Sequence, residues 1–202
     1  VAHFKRDEHR AAIRDFTLAI TAGYGTAAIH ESRGLAFLSI DDHERALADF
    51  DKSIALDPSR ISAYGNRGLT HAALGRFDAA LADYDQVIAR DDKVAVAFNN
   101  RANAYRRKGD LARALVDLDR AVSLAPDDPT LLRNRGITHL LGKNHEQAKA
   151  DLDRAVALAP TYAGAYASRA ELHRTMDRLD LALADLDRAL ALNPRDVSAL
   201  NA

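Results

Sequence analysis

The stretch FNNRANAYRRKGDLARALVDLDRAVSLAPDDPTL, residues 98–131, decides the fold, because its skeleton returns along the chain every 34 residues. Asn66-Arg67-Gly68, Asn100-Arg101-Ala102 and Asn134-Arg135-Gly136 stand in register, with Ser32-Arg33-Gly34 before them and Ser168-Arg169-Ala170 after. A second signature, Ala-x-x-Asp-x-Asp, begins at Ala46, Ala80, Ala114, Ala148 and Ala182. A fixed period of this length marks a repeat array, in which each unit is one supersecondary element stacked on its neighbours.

Inside the quoted unit, residues 98–108 read as a first helix, Gly109-Asp110 as a turn and residues 111–124 as a second helix. Leu111, Ala114, Leu115, Leu118, Ala121 and Val122 recur at steps of three and four, which gives a helix one apolar stripe. Pro126 and the acidic residues beside it stop that helix and suit the start of the next. Ala102 and Ala114 sit where two helices cross closely, with room for a methyl group and no more. One pair cannot bury its own stripe, so the units must stack.

On these residues the chain resembles the tetratricopeptide repeat family. Its pattern of aromatic, small and aromatic residues falls on Phe98, Ala102 and Tyr105, then Ala114, Leu118, Ala121 and Pro126 follow on the second helix. His30 and Leu132 depart from the first aromatic, His71, His139 and His173 from the second, and Asp92 from the proline. The resemblance implies an all-α, right-handed superhelical solenoid of antiparallel helix pairs. The expected organisation is a single array over 1–202: a partial repeat at 1–26, full repeats at 27–60, 61–94, 95–128, 129–162 and 163–196, and the start of a further helix at 197–202. Residues 5–22 match a second helix whose own first helix is almost entirely missing, and the chain begins with Val1. It therefore reads as a piece of a longer array or a processed product.

Composition narrows the function. The net charge is −1, which offers no electrostatic footprint for nucleic acid, and no apolar run reaches the length needed to cross a bilayer. Cysteine is absent, so thiolate metal sites and disulfides are excluded. No phosphate loop, His-Glu-x-x-His pair, calcium loop or serine elbow is present. No catalytic residue, metal or cofactor is expected, and the chain is read as a non-enzyme. The prevalence of Ala, Arg and Asp points to a bacterial source; the compartment stays open, with the cytoplasm favoured.

Two recurrent polar sets remain. Arg33, Arg67, Arg101, Arg135 and Arg169 hold one position on the first helices, and Asp49, Asp83, Asp117, Asp151 and Asp185 one on the second. An arginine so near an apolar stripe needs a paired charge, so these ten read as a structural ladder. Asp51, Asp85, Asp119, Asp153 and Asp187 are expected to be solvated or paired with the basic residue that follows. His71, His139 and His173 read as packing residues, while His43 and His145 are expected at the surface.

In the resembled family the first helices line a concave face, and asparagines there can clamp a peptide backbone. Asn66, Asn100 and Asn134 hold the matching position, where an inter-repeat hydrogen bond is the competing reading. Asn99, Asn103, Arg106, Arg107, Arg133 and Arg174 make the later part of that face polar and basic. Leu35, Leu38, Leu69, Ala72 and Ala73 make its first part apolar, with Glu31 the exception, and Ile137, Leu140 and Leu141 add an apolar patch between the arginines. The family's carboxylate clamp is not matched, since Ile137 stands where its asparagine belongs.

The expected partner is a protein or peptide, with an acidic segment suiting the arginines, and neither nucleic acid nor membrane. The expected function is a non-catalytic interaction scaffold. Alternatives are the repeat arm of a larger enzyme or secretion machine, and an architectural module that self-associates end to end.

Overall fold

A computed structural model describes residues 2–194, with side chains from residue 7. Among them are eleven α-helices and no strand: α1 (Ala2–Ala19), α2 (Ala27–Leu38), α3 (His43–Leu56), α4 (Ile61–Ala73), α5 (Phe77–Arg90), α6 (Ala95–Arg107), α7 (Leu111–Leu124), α8 (Pro129–Leu141), α9 (His145–Leu158), α10 (Ala163–Thr175) and α11 (Leu179–Leu192). The chain is thus all-α. Its second helices start at 43, 77, 111, 145 and 179, one period apart. The helix expected at 98–108 begins three residues sooner, after Asp91 accepts the Lys93 amide in a turn. α1 leaves through a π-helical turn at Ile20–Tyr24, where Gly23 has φ of 91°. The helix start expected at 197–202 lies outside the described residues.

Contacts gather the chain into two compact units, Val1–Ala104 and Tyr105–Ala202. In the first unit α2 packs on α3 and α4 on α5, with α1 against α2 and α3 against α4. The second unit repeats the scheme with α8 on α9 and α10 on α11, and with α7 against α8 and α9 against α10. The helix-to-helix turns within pairs share one backbone solution. Asp41, Gly75, Gly109, Lys143 and Asp177, one period apart, all have positive φ between 58° and 82°. Asp42 and Asp110 then cap the following helices by accepting the amides of Arg45 and Arg113.

The pairs close through small residues set against large ones. Ala46, Ala80, Ala114 and Ala148 are fully buried. A Cβ added at Gly34, Gly68 or Gly136 would come within 2.7–2.8 Å of Phe50, Tyr84 or Leu152 on the facing helix. The glycines are there because the rings and the leucine occupy the space a methyl group would need.

Neighbouring pairs are joined by a recurring arginine staple. In the first unit, Arg67 grips Asp83 through two bonds, Nη2 to Oδ1 at 2.6 Å and Nε to Oδ2 at 3.0 Å. Its remaining Nη1 donates to Asp51 Oδ1 of the preceding pair at 2.7 Å. Arg33 makes the same fork with Asp49, and its Nη1 meets Thr17 Oγ1 at 3.1 Å, where the period would place the acid. Arg101 Nη1 donates to Asp85 at 2.6 Å.

In the second unit Arg135 joins Asp151 to Asp119, and Arg169 joins Asp185 to Asp153, with all six bonds at 2.7–2.9 Å. The forked carboxylates are buried, Asp83 and Asp49 each at 4% side-chain exposure, whereas the second acid is open, as with Asp51 at 62%. Asp117 is likewise buried. Asp51, Asp85 and Asp119 are solvated as expected, but they and Asp153 pair with the arginine sixteen residues on, a correction to the expected sequence-adjacent partner. Hydrogen bonds donated to the forked aspartates raise the pKa of Arg33, Arg67, Arg135 and Arg169 above the ordinary guanidinium value, so the staple stays charged.

Urea denaturation of a small set of variants tests this frame. Gly68→Ala lowers stability by about 1–3 kcal/mol through overpacking, less roughly 1 kcal/mol regained in helix propensity. In a Tyr84→Ala background the same change becomes stabilising. Arg67→Leu costs about 3–5 kcal/mol because Asp83 stays buried without its counter-charge, and Arg67→Met/Asp83→Leu regains most of it. Asp51→Asn, at the open arm of the same staple, costs about 0.2–1 kcal/mol.

Candidate partner-binding faces

Each unit presents a face made by its first helices. In the first unit these are α2, α4 and residues 95–104 of α6. Leu35 and Leu69 stand exposed on it, and Ala73 is exposed as well. Leu38 and Ala72 instead lean on the buried clusters around Phe37 and around Tyr84. Glu31 is not part of an open groove. It is buried, ion-paired with Arg60, and accepts Asn66 Nδ2 at 3.1 Å. Asn66 thereby ties α4 to α2. Asn99 is buried at 8% exposure, which leaves it little surface for a partner, while Asn100 and Asn103 are half-buried. Asn99 Nδ2 reaches Asn100 Oδ1 at 3.4 Å.

In the second unit α8 and α10 enclose a groove of about 640 Å³. Ile137, Leu140, Leu141 and Ala167 give it an apolar lining, with Arg133, Lys143, His145 and Glu171 around them. Arg133 is held there by Nε, which donates to Gly164 O at 2.8 Å and Ser168 Oγ at 2.9 Å, and its guanidinium lies 5.8 Å over the Tyr162 ring. Both Nη groups of Arg133 donate to nothing among the described residues. Burial, and then the charges of Arg133 and Arg107, depress the Arg106 pKa, so three like charges cluster at this end of the face.

The remaining sequence candidates fall differently. Asn134 is buried at 7%, with its carbonyl taken by Thr138 Oγ1, so it too offers little surface. Arg107 and Arg174 are exposed, and Arg174 is engaged with Glu171 of its own helix at 2.6 Å. Ser168 serves Arg133 as Asn66 serves Glu31: both are bonds between successive first helices across 35 residues. Sequence spacing could have paired these positions, since each is one residue beyond the period.

The histidines lie in the packing. His71 and His139 are half-buried and His173 buried, and the Nδ1 of each lacks a hydrogen-bond partner among the described residues. Burial lowers the pKa of all three from the usual 6.5. His43 and His145 are half-buried rather than at the open surface. Among the described residues no group of three His, Cys, Asp or Glu is placed to hold a metal ion, and no helix is long and apolar enough to cross a membrane.

Comparison with known proteins agrees with this architecture. Family models described as tetratricopeptide repeat match residues 33–98 and 102–172, residues 1–61, and residues 163–196. None of the curated proteins compared matches the chain. Among solved structures, YrrB, described as a TPR protein with an unusual peptide-binding site, is 22% identical. The match covers 92% of this chain and 96% of that one, with a TM-score of 0.68. TTC0263, a thermophilic TPR protein of Thermus thermophilus, is 26% identical over 87% of this chain and 96% of its own, with a TM-score of 0.73. MamA from Desulfovibrio magneticus RS-1 is 17% identical over 84% and 96%, again with a TM-score of 0.73.

A pH dependence follows from the histidines. Their folded pKa lies below the unfolded value, so the unfolded chain binds more protons as pH falls. The stability tied to their neutral form is complete above about pH 6.5 and is lost on acidification. The urea midpoint therefore falls between about pH 7.5 and 5.5, and His71→Gln/His139→Gln/His173→Gln gives a shallower fall.

Proposed function

The chain belongs to the tetratricopeptide repeat family, and from that premise we propose that it is a non-catalytic scaffold whose first-helix faces bind a protein segment in extended form. The observation that carries this reading is the α8–α10 groove, where an apolar lining meets an arginine held by Nε with both Nη groups still to donate. Such a pairing suits a partner that offers a large apolar side chain and, next to it, a carboxylate. An Arg fork recognises a carboxylate through two parallel bonds, and the apolar lining excludes the water that would weaken them. Arg106 and Lys143 add positive charge that favours an acidic segment and speeds its approach. YrrB, with its described peptide-binding site, offers a precedent on a similar fold.

Random dodecapeptides displayed on phage, selected on the chain and then measured by fluorescence anisotropy, test the reading. Selected peptides should share an apolar residue followed by Asp or Glu. Leu141→Glu/Lys143→Glu changes two exposed positions and should weaken them at least tenfold, about 1.4 kcal/mol, with the urea midpoint nearly unmoved. Leu158→Glu, on α9, should leave binding unchanged. Peptides indifferent to the double variant would count against the groove.

A further inference from the structure

The position that ties one first helix to the next is Glu31 in α2 and Arg133 in α8, and in α4 it is Gly65. Nothing in the packing asks for glycine there. Among the described residues a Cβ at Gly65 would meet only Val87 Cγ2, at 3.9 Å, and the backbone is ordinary helix. Glycine is among the least favourable residues in a helix interior, so its presence without a steric reason calls for another one. What the missing side chain leaves is a pocket of about 200 Å³ between α4 and α6, floored by Tyr84 and Val87 of α5.

Its walls are Ile61, Leu69, Val94 and Val96, and no charged residue lines it. Two amides line it as well. Asn66 gives its Nδ2 to Glu31 and keeps Oδ1 unengaged among the described residues. Asn100 receives Asn99 at Oδ1 and keeps Nδ2. An acceptor on one helix and a donor on the other match the N–H and C=O that flank a side chain in an extended peptide. The volume is below that of pockets that hold drug-sized ligands, and fits a single side chain.

We propose that this pocket is a specificity site for one aliphatic side chain, Leu, Ile, Val or Met, of an extended peptide. Gly65 keeps it open, and Asn66 and Asn100 hold the peptide backbone at its mouth. The proposal rests on the scaffold reading above but concerns a separate pocket in the other unit.

The same phage-selected dodecapeptides serve as probes. Selection should enrich an aliphatic residue whose replacement by Asp abolishes binding. Gly65→Leu fills the pocket and should weaken these peptides at least tenfold, and Asn100→Ala should weaken them severalfold. Methyl NMR of the unaltered chain gives a readout that does not depend on variants folding: peptide should shift the methyls of Val87 and Val94. Peptides that bind, respond to Leu141→Glu/Lys143→Glu, but leave those methyls unmoved and ignore Gly65→Leu would overturn this proposal and spare the scaffold reading. If no peptide is enriched on the unaltered chain, both fall.

Discussion

The arginine staple is the interaction on which the rest of the structure depends. A helix pair in this chain has a narrow apolar stripe built largely of alanine and leucine, and the buried aspartate of each second helix sits beside it. That carboxylate is tolerated only because an arginine grips it with two charge-assisted bonds. The same guanidinium has a third edge free, and in Arg67, Arg135 and Arg169 that edge reaches an aspartate of the preceding pair. One side chain thus satisfies a buried charge and fixes its neighbour. The guanidinium is suited to this as an ammonium is not, because its donors lie in a plane with fixed directions. The Arg67 guanidinium also rests 5.7 Å from the Tyr64 ring and that of Arg169 5.7 Å from the Tyr166 ring, so the charged group lies over an aromatic face as well as being bonded.

With the frame fixed in this way, the face of each unit is left to vary. The position of Glu31 shows this most clearly, since the next units place Gly65, Asn99, Arg133 and Ala167 there. Glutamate and arginine use it to bind the following first helix. Glycine opens a pocket, and asparagine is buried. Repetition at the staple and variation at this place are what the proposed scaffold reading calls for, with stability in one set of residues and recognition in another.

Much of this was legible in the sequence, for a physical reason: local periodicity dictates a helix, and proline and glycine end it. The stripe from Leu111 to Val122 located α7 to the residue, and the 34-residue period placed every second helix after it. Features that depend on how pairs stack were less legible. The partner of Asp51 is sixteen residues away on another helix, and its neighbour Lys52 was the nearer candidate in sequence. Asn99 read as part of the polar face, and Asn134 through the resemblance as a clamp residue or an inter-repeat tie, yet the turn of the helix carries both inward. Leu38 and Ala72 lean on the core for the same reason. The pocket beside Gly65 was invisible because it is made by a side chain that is not there.

If stability resides in the staple and recognition in the faces, the two separate under mutation. The most direct measurement is a saturation mutational scan of the displayed chain, sorted in parallel for protease resistance and for binding of a selected peptide. Substitutions at Arg67, Asp83, Arg135, Asp151, Arg169 and Asp185 should lower both signals together. Substitutions at Gly65, Leu141 and Lys143 should lower binding alone. Substitutions at those three positions that leave binding intact, or that reduce binding only as far as they reduce protease resistance, would contradict this separation.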